Sequence, residues 1–233
     1  MNIIITGATK GIGKAIATKF VHHNYNLVLC SRTRDDLILC KENLLQLNNS
    51  IKIYIGVMDA KSNKSIDEFG QFVLDSVDSI DVLVNNVGQF EMANIANADE
   101  GQLENMLQTN LFCAYHLTRK LLPKMMSKKK GHIINMCSVA SIMAYPNSSL
   151  YSISKFALLG FSKSLRNELR EFNIKVTSIL PGATWSNSWV NSGYDESAMM
   201  KSEDIAEMIW QVVHLSKNAV VEDIILRPIN GDI

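Results

Sequence analysis

The chain has 233 residues, of which 47% are hydrophobic and 20% are charged, a composition typical of a globular protein with a sizeable buried core. Its 23 basic and 23 acidic residues leave no net charge, which argues against a nucleic-acid partner and against binding to an acidic membrane surface. The four cysteines and five histidines lack the spacing of a metal site, and we expect neither a signal peptide nor a membrane span. These features predict a cytoplasmic protein with reduced thiols.

Short apolar runs alternate with longer amphipathic stretches along the chain. The predicted strands are residues 2–6, 26–30, 51–57, 81–85, 132–137, 175–180 and 223–227. The predicted helices are residues 14–23, 34–47, 62–77, 99–128, 149–172 and 202–216. Most strand runs do not alternate strictly, as expected when helices cover both faces of a parallel sheet. The order predicts one α/β domain over residues 1–233, a doubly wound, mostly parallel, seven-stranded sheet with helices on both faces.

A glycine-rich turn follows the first predicted strand. From Thr6 to Gly13 the sequence is Thr-Gly-Ala-Thr-Lys-Gly-Ile-Gly, and it leads into a predicted helix. Such a turn presents unpaired backbone N–H groups and the positive end of a helix dipole to an anion. The candidate phosphate-binding residues are Gly7, Thr9, Lys10, Gly11, Ile12 and Gly13. An ordinary loop is the alternative interpretation.

A tyrosine and a lysine four residues apart, Tyr151 and Lys155, share one face of a predicted helix. Their free pKa values are about 10 and about 10.4, so neither is an effective base at neutral pH without help. An ammonium group beside the phenol favours the phenolate, which lets the tyrosine exchange a proton with an alcohol or a forming alkoxide. Taken alone, the pair also fits ordinary core or surface positions.

Other polar residues are expected near this pair. Ser138 follows a predicted strand, where its hydroxyl can hold a carbonyl oxygen or simply cap a turn. Residues 85–88 read Asn-Asn-Val-Gly at the end of another strand, and their short polar side chains can tie strand ends together. Asn110 lies inside a long predicted helix, an unfavourable position that suggests a specific hydrogen bond. A solvated helix face is the alternative for Asn110.

The combination of these motifs with a Pro-Gly pair at residues 181–182 resembles the classical short-chain dehydrogenase/reductases, which have a Rossmann fold. The resemblance spans residues 1–227, and within the family the chain looks like a carbonyl reductase of the 3-oxoacyl-[acyl-carrier-protein] reductase type. It implies a catalytic tetrad of Asn110, Ser138, Tyr151 and Lys155. In that tetrad Tyr151 would be the acid and base, and Ser138 would orient the substrate carbonyl. Lys155 would bind the nicotinamide ribose and lower the tyrosine pKa, and Asn110 would hold a water in a proton relay.

The end of the second predicted strand indicates which dinucleotide the chain binds. No acidic residue stands there to hold the ribose hydroxyls of NAD, and the strand runs instead into Ser31 and Arg32. Arg32 and Ser31, together with Lys10 from the glycine turn, can bind a 2′-phosphate. We therefore expect NADP(H) rather than NAD(H), with solvated surface residues as the alternative interpretation of these basic side chains.

The resemblance implies additional cofactor contacts near the adenosine. Asp59 would contact the adenine, although a helix-entry cap is an equal alternative. Asn86 and Gly88 would bring backbone close to the adenosine ribose. The residue between them is Val87, where the family motif has alanine, so the strand end must accommodate a larger side chain.

The region after the sixth predicted strand has no clear strand or helix pattern. Pro181 and Gly182 are expected to contact the nicotinamide, and the family's threonine is matched in register by Ser186, with Thr184 two residues earlier. We interpret residues 183–201 as a substrate lid, since loops at this sheet edge bind ligands. An ordinary packed surface loop is the alternative.

The substrate is left open by the sequence. Trp185, Trp189, Tyr145 and Met199 are candidates to line an apolar pocket for an acyl chain or a ring, or they pack on the protein body. We expect a small-molecule carbonyl or alcohol as the substrate.

Two alternative functions share this fold. One is a dinucleotide-binding regulator without turnover, and the other is an epimerase or dehydratase. The resemblance also implies a homodimer or homotetramer formed through the helices at 99–128 and 149–172.

Overall fold

Seven strands pair side by side in one sheet in the computed structural model, which describes residues 1–186, 189, 193 and 195–231. The strands are β1 (Asn2–Thr6), β2 (Asn26–Ser31), β3 (Ile53–Val57), β4 (Val82–Asn85), β5 (Gly131–Met136), β6 (Ile174–Pro181) and β7 (Asp223–Leu226). Their order is β3-β2-β1-β4-β5-β6-β7, and each neighbouring pair is parallel. The predicted fold class is confirmed.

Seven α-helices connect the strands in the described part of the chain. They are α1 (Gly11–Val21), α2 (Arg34–Leu47), α3 (Asn63–Ser76), α4 (Gln102–Leu107), α5 (Cys113–Lys128), α6 (Ser149–Glu168) and α7 (Ser202–Val213). A π-helical turn spans Gln108–Phe112, and 3₁₀ turns span Ile95–Asn97, Val139–Ser141, Arg170–Phe172 and Glu196–Ala198. None of these helices combines the length and the apolarity needed to cross a membrane.

The two faces of the sheet bury separate hydrophobic clusters. On β1, Ile3 and Ile5 pack in the cluster that includes side chains of α1, α2 and α7, whereas Ile4 packs in the cluster of α3 and α5. Successive side chains of a strand point to opposite faces, so a strand that is apolar at every position fills both clusters. This explains why the strand runs are nearly continuous in hydrophobicity.

The strand order reverses between β1 and β4, the two central strands. β1 connects through α1 to β2 on one side, and β4 connects through α4 and α5 to β5 on the other. The chain therefore leaves the carboxyl ends of these two strands in opposite directions and opens a crevice between them, where open α/β sheets bind their ligands.

The prediction of one helix over residues 99–128 is wrong. The helical region begins at Gln102 and is divided by the π turn at Gln108–Phe112. The π turn carries Asn110, whose side chain makes three hydrogen bonds to residues outside the helix, described below. A π turn is rare and needs compensating contacts, and a pattern of apolar positions gives no direct sign of it.

Other differences concern the ends of elements. α1 begins at Gly11, three residues before the predicted start, because the glycine turn itself opens the helix. β3 begins at Ile53 rather than at residue 51, and α6 ends at Glu168, where a 3₁₀ turn follows.

All four cysteines are buried and free, in agreement with the expected reduced thiols. Burial raises the pKa of Cys113 to about 12 and that of Cys137 to about 11. Because the thiolate is the reactive form, these side chains behave as small apolar groups.

His132 is a buried imidazole at the beginning of β5, only 4% exposed. Its Nε2 lies 2.7 Å from the Thr177 hydroxyl on β6. That hydroxyl donates to the carbonyl of Val221 at 2.6 Å, so it accepts the hydrogen bond from Nε2–H and leaves Nδ1 unprotonated. Burial, with a smaller contribution from the charge of Lys175, lowers the His132 pKa to about 3.

We expect acid to destabilise the protein through His132. The unfolded chain takes up a proton near the ordinary pKa of about 6.5, whereas the folded protein resists protonation until about pH 3. The contribution of His132 is therefore complete above about pH 6.5 and is lost at about 1 kcal/mol per pH unit below it. Urea titrations between about pH 7 and about pH 5 should show a shallower pH slope for His132→Gln than for the wild type. Equal slopes would contradict a His132 that stays unprotonated in the folded protein.

Candidate active site

The glycine turn folds as the sequence predicts, directly after β1. Gly7 and Gly11 have φ values of 66° and 51°, the left-handed region that costs other residues free energy. Gly13 is needed for a different reason, because a Cβ there would lie 2.2 Å from the Gly7 carbonyl oxygen and 2.6 Å from the Asn86 amide nitrogen. The turn therefore packs backbone against backbone where α1 begins.

The first turn of α1 suits an anion. Lys10 is the N-cap residue, its side chain makes no capping hydrogen bond, and no acidic residue lies in the first turn. By contrast, the amino end of α3 is capped by Ser62, whose hydroxyl accepts from the Ser65 N–H. The N–H groups that open a helix need acceptors, and phosphate oxygens are suitable ones. The residues present at α1 thus fit the diphosphate of a dinucleotide.

Hydrogen bonds from the end of β4 hold the glycine turn in place. The Asn86 side chain donates to the carbonyls of Thr6 at 2.8 Å and Gly7 at 3.2 Å. The Thr6 hydroxyl in turn accepts from the backbone N–H groups of Asn86 and Val87, at 2.9 and 3.0 Å. The expectation that this asparagine motif ties strand ends together is confirmed. Val87 packs with a methyl 3.2 Å from the position of a Gly7 Cβ, so its larger side chain is accommodated.

Asn85 extends the polar contacts into the sheet. Its amide donates to the Thr118 hydroxyl on α5 at 2.9 Å and to Asn135 on β5 at 2.8 Å. Asn135 donates in turn to the Ser162 hydroxyl on α6 at 2.8 Å. These contacts join β4, β5, α5 and α6 by hydrogen bonds between buried side chains, which are stronger away from water.

Lys155 is the buried cation of the candidate site, with 4% of its surface exposed. Its Nζ donates to the Met136 carbonyl of β5 at 2.7 Å and lies 5.7 Å from the centre of the Tyr151 ring. No carboxylate in the described ranges forms an ion pair with it. The charge therefore remains directed towards the tyrosine and the end of β5.

Gly88 marks where Lys155 and Asn110 approach each other. A Cβ on Gly88 would lie 3.3 Å from the Lys155 Nζ and 3.5 Å from the Asn110 Oδ1. Asn110 accepts from the Gln89 N–H at 2.7 Å and donates to the Gln89 carbonyl and to the Ser154 hydroxyl, each at 2.9 Å. The specific hydrogen bond expected for Asn110 is present, and it fixes the segment after β4 against α6.

Ser138 stands just beyond β5, two residues after the carbonyl that holds Lys155. Its hydroxyl accepts from the Ala140 N–H at 3.1 Å and lies 3.5 Å from the Pro181 carbonyl. The Ser141 hydroxyl accepts from the Ser138 N–H in return. Ser138 therefore caps the 3₁₀ turn at Val139–Ser141, which packs against α6, and this capping fixes the position of the hydroxyl.

The side chains predicted for the adenosine end lie at the ends of β2 and β3. Arg32 is exposed and forms no ion pair within the described residues. The Ser31 hydroxyl donates to the Thr33 carbonyl at 3.1 Å, and the Lys10 ammonium lies 3.2 Å from the Asp36 carboxylate. Arg32 is thus the better-placed cation for a phosphate, because Lys10 already has an acidic partner.

Asp59 organises the entry to α3. Its carboxylate accepts from the Lys61 N–H at 3.0 Å, and its own N–H donates to the Ser65 hydroxyl at 3.0 Å. The N-cap of α3 itself is Ser62. The carboxylate thus stabilises the turn before the helix, in a position close to the end of β3.

The segment after β6 returns to the glycine turn. The Gly182 N–H donates to the Leu226 carbonyl at 2.8 Å, and the buried Thr184 hydroxyl donates to the Gly182 carbonyl at 3.0 Å. Ser186 lies against the turn, with its Cβ 3.0 Å from the position of a Gly11 Cβ. Of the two hydroxyl candidates, Ser186 is the one in contact with the glycine turn. Residues 187, 188, 190–192 and 194 of the predicted lid lie outside the described residues.

Three of the four aromatic and methionine side chains predicted for one pocket lie in two different places. Trp185 and Met199 line a cavity of about 740 Å³ between α1 and α7, whereas Tyr145 contacts Arg227 beyond β7. The ring that packs on Tyr151 is Phe90, with ring centres 5.0 Å apart at 85°. Neither Phe90 nor Arg227 was predicted, because each lies in a loop whose course depends on the fold.

Comparison with known proteins agrees with this geometry. A sequence model of the family described as short chain dehydrogenase matches residues 1–197. The chain therefore belongs to the short-chain dehydrogenase family of oxidoreductases.

Relatives and solved structures resemble the chain over almost its whole length. A sepiapterin reductase of Chlorobaculum tepidum is 33% identical over 243 residues, covering 99% of this chain and 97% of the relative. The structure of serine dehydrogenase from Escherichia coli superposes with a TM-score of 0.85 at 28% identity, covering 100% of both chains. A metagenomic short-chain oxidoreductase in complex with NADP has a TM-score of 0.85 at 26% identity, covering 98% of this chain and 96% of that one.

Replacing Gly13 by alanine should destabilise the protein, because the new Cβ would force the glycine turn away from α1 and Asn86. We expect a loss of about 2 kcal/mol in the free energy of unfolding, measured by urea denaturation without ligand. Gly160→Ala is the matched control, since Gly160 lies inside α6 with open space around a Cβ. That substitution should be neutral or stabilising by up to about 1 kcal/mol. Equal effects of the two would contradict the close approach at Gly13.

Proposed function

We propose that this protein is an NADP(H)-dependent carbonyl reductase or alcohol dehydrogenase with Tyr151 as its acid and base. The observation that carries the proposal is the buried Lys155 ammonium, which is held by a backbone carbonyl beside the Tyr151 ring and pairs with no described carboxylate. A buried lysine without an acidic partner is costly, which argues for a role beyond packing. A regulator without turnover has no need of such a charge next to a phenol.

Tyr151 and Ser138 supply the proton chemistry in this proposal. The phenol donates a proton to the oxygen of a carbonyl as it becomes an alkoxide, and it takes the proton back when an alcohol is oxidised. The Lys155 charge stabilises the phenolate left behind. The Ser138 hydroxyl, fixed by its contacts with the 3₁₀ turn, orients the carbonyl oxygen. When bound, the nicotinamide supplies or accepts the hydride.

Lys155 and Asn110 support the phenol in different ways. Lys155 would hold the ribose of a bound nicotinamide, and its charge offsets that of the phenolate left after proton transfer. Asn110 fixes the loop at Gln89 against Ser154 of α6, and the Ser154 hydroxyl donates to the Tyr151 carbonyl at 2.7 Å. Through these contacts Asn110 positions the first turn of α6, which carries Tyr151, in addition to the water-holding role that the family resemblance implies.

Three observations support NADP(H) as the cofactor. The glycine turn and the uncapped first turn of α1 fit a diphosphate. The end of β2 presents Arg32 where an NAD enzyme has an acidic residue. The metagenomic oxidoreductase that resembles this chain was solved with NADP. The remaining cofactor contacts would come from Asn86, Gly88, Pro181 and Gly182.

The substrate in this proposal is a small carbonyl or alcohol, and the protein is a cytoplasmic homodimer or homotetramer. Exposed apolar side chains support the assembly. Phe112 at the end of the π turn and Tyr115 on α5 are 40% and 38% exposed, and Ile153 and Phe156 on α6 are 39% and 47% exposed. Burying such a face in a second copy removes apolar surface from water.

Tyr151→Phe should abolish most turnover without weakening cofactor binding, because it removes the hydroxyl but keeps the ring on Phe90. We expect reduction of a carbonyl to slow by about 10²- to 10⁴-fold. Reduction is followed by NADPH absorbance over a panel of ketones, quinones and 3-oxoacyl thioesters. NADPH binding is measured separately by fluorescence titration.

The two measurements separate this proposal from its alternative. If Tyr151→Phe retained full turnover and full binding, the phenol mechanism would be wrong. If the wild type bound NADPH tightly but reduced no member of the panel, a regulatory role on the same fold would be favoured.

Arg32→Gln should reduce the preference for NADPH over NADH. Loss of a charge-assisted hydrogen bond to the 2′-phosphate predicts a fall of about 10- to 100-fold in kcat/KM for NADPH, with little change for NADH. Arg34→Gln is the matched control, since it removes the same charge two residues later, at the beginning of α2. A wild-type preference for NADH, or an equal effect of the two substitutions, would contradict the role of Arg32.

A further inference from the structure

An ion pair joins the glycine turn to the first turn of α2. The Lys10 ammonium lies 3.2 Å from the Asp36 carboxylate, and the two side chains are 58% and 37% exposed. Lys10 is the N-cap residue of α1, and Asp36 is the third residue of α2. An exposed pair of this kind contributes little to stability, so Lys10 can exchange Asp36 for another anion at little cost.

The packing of the glycine turn against β2 and α2 determines which acidic residue Lys10 meets. The Ala8 N–H donates to the Cys30 carbonyl at 3.1 Å, and the Cys40 thiol lies 3.7 Å from the Ala8 carbonyl oxygen. Asp36 and Cys40 are four residues apart in α2 and therefore share one face of that helix. The face that touches the glycine turn through Cys40 thus places Asp36 one turn earlier, beside Lys10.

Asp35 lies on a different face of α2. It precedes Asp36 by one residue, which corresponds to a rotation of about 100° around the helix. Asp35 is exposed and forms no ion pair with a described residue, whereas Asp36 is partly buried. The first turn of α2 therefore carries two carboxylates, and Asp36 is the one that meets the lysine of the glycine turn.

This ion pair lies near the end of β2, where dinucleotide folds hold the adenosine ribose. Arg32 directly follows β2 and has no ion-pair partner among the described residues. Lys10 is the second cation at this end of the sheet. A 2′-phosphate on the ribose thus has one cation, Arg32, free of any described carboxylate, and another that Asp36 holds.

We propose that Asp36 limits the affinity for NADP(H) by competing with the 2′-phosphate for Lys10. A phosphate monoester carries a charge of about −1.5 to −2 at neutral pH, so it attracts the ammonium more strongly than one carboxylate does. Lys10 then leaves Asp36 for the phosphate, and the Asp36 carboxylate is left without its cation and close to a second anion. This inference rests on the proposed function, in which Arg32 binds the same phosphate.

The test measures binding rather than turnover. The full chain is titrated calorimetrically with 2′,5′-ADP, which carries the 2′-phosphate, and with 5′-AMP, which lacks it. Low salt is used because salt screens exposed charges. Asp36→Asn should tighten the binding of 2′,5′-ADP about three- to tenfold, since it frees Lys10 and removes a negative charge. The binding of 5′-AMP should change by less than about twofold.

Two further variants separate competition for Lys10 from a general effect of charge. Asp35→Asn removes the same charge one residue earlier and should change the binding of 2′,5′-ADP by less than about twofold. Lys10→Gln removes the cation that Asp36 holds. In the Lys10→Gln background, the gain from Asp36→Asn should shrink to that from Asp35→Asn, a coupling that a double-mutant cycle measures.

The outcomes distinguish this inference from the function it rests on. Unchanged or weaker binding of 2′,5′-ADP by Asp36→Asn would overturn the competition, and weaker binding would mean that Asp36 orients Lys10 for the phosphate. An equal gain in Asp35→Asn, or a full gain without Lys10, would overturn it as well, because net charge would then suffice. Equal wild-type affinities for 2′,5′-ADP and 5′-AMP would instead overturn the proposed preference for NADP(H).

Discussion

The architecture of this protein depends on the hydrogen bonds between the ends of β1 and β4. Two strands that send the chain in opposite directions leave their last residues unpaired on the sides that face each other, and a crevice opens between them. Asn86 and Thr6 supply hydrogen bonds to the peptide groups there. They thereby fix the glycine turn at the position from which α1 begins, and they leave the N–H groups of that helix directed into the crevice.

Side-chain hydrogen bonds also connect the other strand ends at the carboxyl edge of the sheet. Asn85, Asn135 and Ser162 connect the centre of the sheet to α6, and Asn110 connects the loop after β4 to the same helix. Tyr151 and Lys155 stand on α6, so their positions follow from contacts with three different strands or loops. Polar residues in this part of the core therefore set the geometry of the site, whereas the apolar clusters on the two faces of the sheet hold the layers together.

The sequence was sufficient for the parts of the molecule that local patterns control. Strands of continuous hydrophobicity and a glycine turn that opens a helix predicted the sheet. The motifs at the ends of strands and on α6 predicted residues that the fold brings near one another, since Lys155 lies near both Asn110 and the Tyr151 ring. The π turn at Asn110 was not predictable, because it is stabilised by Gln89 and Ser154, which are distant in sequence. Phe90 and Arg227 were missed for the same reason, since nothing in a loop sequence states which ring or which hydroxyl it will meet. Roles that require a bound cofactor or substrate stay predictions.

Mutation cannot easily remove the hydrogen bond that holds Lys155, because its acceptor is a backbone carbonyl. This carbonyl belongs to Met136, whose side chain packs in the cluster on the α1 and α7 face. A point mutation at that position can alter the packing but cannot remove the acceptor. Lys155 therefore keeps a backbone acceptor whichever side chain occupies position 136, so the contact tolerates changes in the core that a side-chain partner would not survive.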